Sequence, residues 1–382
     1  MKGKGIGKVL VTGGAGFIGS HTVDLLTELG YHATILDNLE TQVHGGEKKL
    51  PEYINKNATF IHGDIRDHES LKKTILEVDA VIHLAAMVGV GQSMYQIERY
   101  VDVNTKGTAN ILDVLVNEKN NVKKLIVASS MSIYGEGKYY CEKCSTSVYP
   151  SLRDEEQLKK RQWNHLCPTC GYPLTPLPTD EEKPLISTSI YAMTKRHQEE
   201  MCLLTGKTYG IPTVALRYFN VYGSRQALSN PYTGCAAIFT SRILNSKSPY
   251  IFEDGKQTRD FIHVKDIAKA NLKALEHNNA DYQAINIGTG KPISIKRLAE
   301  TLIRLYDKPN LSPYISNEYR KGDIRHCYAD TTKAQKLLNF KSTITLRNGL
   351  TELAEWAKTH GWSSVDLFEK ALKELKEKHL AA

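Results

Sequence analysis

The 382-residue sequence predicts an α/β fold with a doubly wound parallel sheet, a smaller second α/β domain, and a four-cysteine insertion. Three observations carry that expectation. A glycine turn sits between an apolar strand and an amphipathic helix near residue 13. Further short apolar strands alternate with helical stretches over the next two hundred or so residues. Two C-x-x-C pairs then interrupt the chain after residue 135. The expected boundaries are 1–135 and 179–222 for a dinucleotide-binding domain, 136–178 for the insertion, and 223–382 mainly for the second domain, with segments free to return to the first.

The stretch "GKVLVTGGAGFIGSHTVDLLTELGYHATILDNL" reads as strand, turn, helix, strand. Val9 to Val11 form the first strand, and Gly13, Gly16 and Gly19 keep a G-x-x-G-x-x-G spacing. Ile18, Val23, Leu25, Leu26 and Leu29 give the helix an apolar stripe. Backbone amides at that helix N-terminus, with Phe17 and Ile18 in its first turn, make a pyrophosphate site of the Rossmann kind. Asp37 closes the second strand eighteen residues after Gly19, with Asn38 beside it. A carboxylate there suits a ribose diol and repels a 2′-phosphate, so NAD is expected rather than NADP. Asp64 and Ile65 end a third strand, where they either flank the adenine or, for Asp64, cap the turn that follows. "AVIHLAA" reads as a fourth strand whose Leu84, Ala85 and Ala86 run beneath the cofactor.

"KLIVASSMSIYG" is a fifth strand ending in hydroxyls, and "SIYAMTKRHQEE" opens a helix that carries Tyr191 and Lys195 on one face, four residues apart. A phenol with a pKa near about 10 is a poor base at neutrality. A nearby Lys195 ammonium and a positive nicotinamide ring would lower it, with Ser130 sharing the hydrogen bond.

The chain holds 50 basic and 42 acidic residues, giving a net charge of +8, with both signs interspersed. That balance suits a small phosphorylated ligand better than nucleic acid. No apolar stretch is long enough for a membrane span, and the N-terminal residues lack a signal-peptide pattern, so a cytoplasmic location is expected. Cys202, Cys235 and Cys327 stand alone and read most simply as small buried groups.

Together the glycine turn, Asp37, Ser130, Tyr191 and Lys195 resemble the extended short-chain dehydrogenase/reductase family over nearly the whole chain. The resemblance implies NAD in the first domain, touched also by Asn104, an NDP-sugar in the second, and Ser/Tyr/Lys chemistry at the sugar's C4. By resemblance Asn220 in "RYFNVYGSRQ" reaches the phosphates, Arg259 and Arg320 clamp the diphosphate, and Asp323 takes a ribose hydroxyl. Guanidinium forks suit phosphate, although each arginine alone reads as readily as an ion pair. Cys327 falls where related enzymes control entry of N-acetylated sugars. Val88, Gly89, Gln92 and Ser93 follow the fourth strand, where the sugar would lie.

Ser132 narrows the chemistry. Family members that dehydrate or decarboxylate resemble one another in placing Glu there, and 3,5-epimerases place Cys. Serine cannot remove a carbon-bound proton unaided, which favours simple C4 epimerisation. Segments such as "SNPYTGCAAIFTSRIL" look most similar to bacterial dTDP-L-rhamnose 4-epimerases. UDP-glucose or UDP-N-acetylglucosamine 4-epimerases and an NDP-4-keto-sugar reductase are the enzymatic alternatives. A NAD-sensing or nucleic-acid-binding protein is the alternative without catalysis. Family resemblance also implies a homodimer through helices near Gln96 to Val116 and Ile190 to Tyr209.

Cys141 and Cys144, then twenty-two residues, then Cys167 and Cys170 match a four-thiolate zinc ribbon. Such a site leaves no open position for water, so the zinc would be structural. His165 is a possible substitute ligand. The segment between the pairs is polar, so metal is expected to supply the folding energy that a core does not. Because the insertion starts five residues after Ser130 and rejoins before Tyr191, it either staples a long loop or positions a lid beside the sugar.

Overall fold

The computed structural model describes residues 5–45, 49–360 and 365–382; residues 1–4, the start of the stretch read for a signal peptide, lie outside them. Seven parallel strands form the main sheet: β1 (Lys8–Thr12), β2 (His32–Asp37), β3 (Thr59–His62), β4 (Ala80–His83), β5 (Lys124–Ser130), β6 (Thr213–Tyr218) and β7 (Gln283–Ile287). Their order across the sheet is β7-β6-β5-β4-β1-β2-β3. The reversal at β1 and β4 opens a crevice beyond the strand ends, where such sheets bind ligands. Helices cover both faces, so strands such as β5 are buried on both sides, and their apolar runs do not alternate.

Helix α1 (Phe17–Glu28) buries Val23 and Leu26 against this sheet, whereas Leu29 lies beyond its end and is exposed. β3 and β4 stop at His62 and His83, so Asp64–Ile65 and Leu84–Ala86 extend past the strands into the crevice rather than within them. Helix α2 (Ile190–Tyr209) starts where the Ser189 hydroxyl accepts the Ala192 amide, and it ends at left-handed Gly210.

The other half builds its own core from the helices Cys235–Leu244, Ile295–Leu305 and Leu346–His360, through residues such as Phe239, Leu298 and Leu350. The chain does not stay there. The helix Val264–Glu276 and strand β7 pack Ile267, Ala270, Ile285 and Ile287 into the core around β1. Between β5 and α2 the insertion folds as a three-stranded antiparallel sheet, Thr146–Val148, Lys138–Cys141 and Thr175–Leu177. No helix among the described residues is long and apolar enough to cross a membrane.

Candidate functional site

One cavity of about 600 Å³ runs from the glycine turn into the second half. Its floor is backbone. Gly13 has φ 69° and donates its amide to the Leu36 carbonyl at 2.8 Å. A Cβ on it would lie 2.8 Å from the Ala85 nitrogen, and one on Gly19 would lie 2.1 Å from the Gly13 carbonyl oxygen. Any side chain at either position would fill the cradle. Helix α1 begins at Gly16 with no side chain capping it, which leaves the first-turn amides of Phe17 and Ile18 facing the cavity.

Asp37 accepts the Ala15 amide at 3.0 Å and the Leu39 amide at 2.9 Å, fixing its carboxylate at the cavity edge. Asp64 accepts from Asn38 at 2.8 Å and from Arg66; burial opposes its charge, but these donors hold it at about 2. The helix cap is Asp67, which takes the Ser70 amide, while Asp64 caps the turn before it by accepting the Arg66 amide at 2.9 Å and also lines the cavity. Ile65, Leu84, Ala85 and Ala86 complete this wall.

Ser130, Ser132, Tyr191 and Lys195 meet at the end of β5. The Ser132 hydroxyl donates to the Ser130 oxygen at 2.9 Å, and Lys195 Nζ donates to the Ala128 carbonyl at 2.8 Å. Burial raises the Tyr191 phenol to about 12, against the lowering pull of a Ser130 hydrogen bond. Burial also drives the Lys195 ammonium down to about 7. Ser130 is thus the neighbour whose hydrogen bond eases Tyr191 ionisation.

Asn220, Arg259, Arg320 and Asp323 line the far side of the cavity. Asn220 Oδ1 is buried without a hydrogen-bond partner, an orphan that a ligand would satisfy. Arg320 Nε meets Asp323 Oδ2 at 2.8 Å, while Arg259 donates to the carbonyls of Thr258, Ile324 and Arg325. Val88 and Gly89 also line the cavity.

Four of the expected ligand contacts lie one layer back. Gln92 accepts the Tyr100 hydroxyl at 3.0 Å and pairs with Gln42. Ser93 donates to the Val90 carbonyl and accepts the Tyr191 amide at 3.0 Å. Asn104 holds both the amide and carbonyl of Met87 and reaches Thr194. These three position the wall rather than form it. Cys327 is fully buried behind the cavity among Met131, Phe219 and Ile324, with its thiol 3.7 Å from the Thr179 hydroxyl.

Within the insertion the sulfurs of Cys141, Cys144, Cys167 and Cys170 all lie within 4.8 Å of one another, and no disulfide joins them. Cys141 and Cys170 sulfurs are 3.5 Å apart, and those of Cys144 and Cys167 3.9 Å. Tetrahedral thiolates at a Zn–S distance of about 2.3 Å would stand roughly 3.8 Å apart, so the four sulfurs fit such an ion. His165 does not join them; its Nε2 is 3.1 Å from Glu136.

The segment between the cysteine pairs packs more than its polarity suggested. Leu158 and Trp163 bury against Tyr319. Arg153, itself buried, donates to Glu253 at 2.8 Å and to the Asp323 carbonyl at 3.0 Å. Glu136 accepts the Arg325 and His326 amides and the Tyr139 hydroxyl. The insertion is thus fastened to the segment that carries Arg320 and Asp323.

A further wall comes from the C-terminal helix α3 (Phe368–Glu377), whose Phe368, Ala371, Leu372 and Leu375 line the cavity. Their i, i+3, i+4, i+7 spacing is a legible apolar face. What that face covers is visible only in the fold.

Comparison with known proteins agrees with this geometry. A family model described as "NAD dependent epimerase/dehydratase family" matches residues 9–155 and 158–288. The dTDP-L-rhamnose 4-epimerase of Burkholderia thailandensis is 32% identical over 351 residues, covering 91% of this chain and 94% of its own. The structure of a Thermotoga maritima UDP-glucose 4-epimerase with UDP-glucose superposes with TM-score 0.75 at 31% identity, covering 92% of this chain and 99% of that one. A Methanobrevibacter ruminantium UDP-N-acetylglucosamine 4-epimerase, in complex with UDP-N-acetylmuramic acid, gives TM-score 0.74 at 33% identity, with coverages of 94% and 99%.

Proposed function

The chain is an enzyme of the NAD-dependent epimerase/dehydratase family, and from that premise we propose that it inverts C4 of a nucleotide-diphosphate sugar. The observation that carries this reading is the chemistry around Tyr191. The cavity offers one proton-transfer tyrosine with Ser130, Ser132 and Lys195 beside it. The carboxylates of the substrate side are already paired, Glu253 with Arg153 and Arg325, and Asp323 with Arg320. Dehydration or decarboxylation asks for a further acid or base; redox-neutral epimerisation does not.

In this reading Gly13 to Gly19 and Asp37 hold the cofactor, and Asn220, Arg259, Arg320 and Asp323 hold the sugar nucleotide. NAD, when bound, supplies the hydride acceptor and the positive charge that the burial of Tyr191 calls for. Tyr191 removes the C4 hydroxyl proton and returns it once the 4-keto sugar has presented its other face, while Ser130 steadies the oxygen throughout. The halves divide the work, with cofactor over the seven-stranded sheet, sugar nucleotide mainly from residue 223 onward, and the insertion as a separate lobe held by structural zinc. Exposed Ile97, Val101, Met193 and Leu204 support a homodimer through the helices named above.

For the sugar we favour dTDP-L-rhamnose, on the Burkholderia relative and on the apolar Met87–Val88–Gly89 wall, which suits a deoxysugar methyl. The Thermotoga and Methanobrevibacter likenesses favour UDP-glucose or UDP-N-acetylglucosamine instead. Purified protein with no added cofactor should bring one of these sugar nucleotides to a C4-epimer equilibrium, read by NMR. Turnover that needs NADPH and yields a reduced sugar would replace this reading with the ketoreductase.

A further inference from the structure

The geometry points to Glu374 as a positioning residue for the sugar end of the cavity, acting from the C-terminal helix through two tyrosines. This deepens the reading above and rests on it.

Helix α3 is secured along its length. Phe368 packs on Tyr250 with ring centroids 5.2 Å apart, and the Arg242 guanidinium lies 4.6 Å above the Phe368 ring. Beyond the helix, the backbone returns beside Arg320: Lys321 donates to the Leu380 carbonyl at 2.9 Å, and Tyr319 and Ala382 exchange both amide bonds. The last residues of the chain therefore brace the segment that presents Arg320 and Asp323 to the cavity.

Glu374 sits midway along this helix, and one carboxylate oxygen, Oε2, accepts both the Tyr95 hydroxyl, at 3.0 Å, and the Tyr232 hydroxyl. The two hydroxyls are also 2.7 Å apart, so the three oxygens form a closed ring in which two hydroxyl protons serve three short contacts. Each tyrosine belongs to a segment at the cavity. Tyr95 ends the segment that begins at Val88 and contains the helical turn Val90–Ser93, and Tyr232 lies over that segment's start, where a Cβ on Gly89 would come within 3.1 Å of the Tyr232 Cβ. Leu375, next to Glu374, presses on the same segment, 3.0 Å from where a Gly91 Cβ would stand. Residues 88–91 are thus pinned between α3 and Tyr232, and they form the cavity wall nearest Met87. Loss of the carboxylate frees both tyrosines and lets that wall relax, while the segment's tie to α2, the Ser93 hydroxyl on the Tyr191 amide, stays in place.

The test uses the full chain and three variants, Glu374→Ala, Tyr232→Phe and the double variant. Equilibrium binding of UDP-glucose and dTDP-L-rhamnose, C4-epimerisation kinetics and retained NAD are measured for each. Glu374→Ala should raise Kd and KM for the accepted sugar nucleotide about tenfold with kcat within about twofold. Tyr232→Phe should do nearly the same, and the double variant should be no worse than either single one, because all three break one ring. Glu374→Gln, which keeps an accepting oxygen, should recover most of the affinity. NAD content equal to wild type shows that the fold is intact. Unchanged binding in Glu374→Ala, or losses that simply add, would overturn the latch while leaving the epimerase reading in place. A wild-type protein that binds no nucleotide sugar overturns that reading, and the latch with it.

Discussion

The two long walls of the cavity are made of different material. The wall at Gly13–Gly19 is backbone, drawn from one short stretch, and at Gly13 and Gly19 its contacts leave no volume for a single extra carbon. The opposite wall is side chain, assembled from Asn220, Arg259, Arg320, the insertion and helix α3, and tied by charge pairs such as Arg153 with Glu253. A backbone wall can be occupied or blocked but hardly adjusted. A side-chain wall can be revised one residue at a time, which is where relatives with different sugars have room to diverge.

The sharpest contrast lies in separating chemistry from binding. Tyr191→Phe should lower kcat by about 10³-fold while bound NAD and the KM for sugar nucleotide stay near their original values; steady-state kinetics with an absorbance measurement of retained cofactor reads both. Next in size, Gly19→Ala should strip NAD from the purified protein, by about 10² in affinity, because its Cβ must displace the Gly13 carbonyl. Survival of tight NAD binding in that variant would mean the backbone wall yields after all.

Breaking the other wall should act on the sugar alone. With Cys141 and Cys144 both changed to Ser, zinc should leave and hydrogen exchange should quicken across residues 136–178. KM should rise by roughly three- to tenfold through the loosened Arg153 contacts, with NAD retained. Elemental analysis beside kinetics decides it, and a wild-type protein free of zinc removes the premise.

The smallest effect is a titration. Glu136 is buried, which opposes its charge, yet His165, Arg153 and the Arg325 amide hold it at about 2 against an ordinary 4.5. A carboxyl lowered on folding stabilises fully above its unfolded value. That contribution fades as pH falls from about 4.5 through about 2. Docking of the insertion should therefore weaken over that interval, seen as faster exchange at residues 136–178, and Glu136→Gln should flatten the dependence.

The difference between the walls also explains what could be read before any fold was known. The glycine turn, Asp37, and the Tyr191–Lys195 pair declare themselves because residue type and spacing within one strand, turn or helix mark them, even though Lys195 bonds to Ala128, 67 residues away. Arg153 and Glu253 are one hundred residues apart, and Glu374 is 279 from Tyr95, so neither pairing leaves a mark in the sequence. Gln92, Ser93 and Asn104 lie in the right segments, but proximity along the chain says nothing about which way a side chain turns. Cys327 fails for the same reason: it stands four residues after Asp323, yet one faces the cavity and the other its backing. The apolar spacing of α3 stands in the sequence, whereas the cavity it covers does not.

Strand β7 has a consequence for how the chain is made. A ribosome releases residues in order, and the sheet's last strand is not synthesised until residue 287, after much of the second half has emerged. Until then β6 has an unpaired edge and α1 lacks the helix Val264–Glu276 that shields its outer face. A fragment ending near residue 222 would expose both. The cofactor half is therefore no autonomous unit despite holding its whole glycine turn within the first twenty residues. Its completion waits on residues that follow most of the second half, so the nascent chain closes the two together.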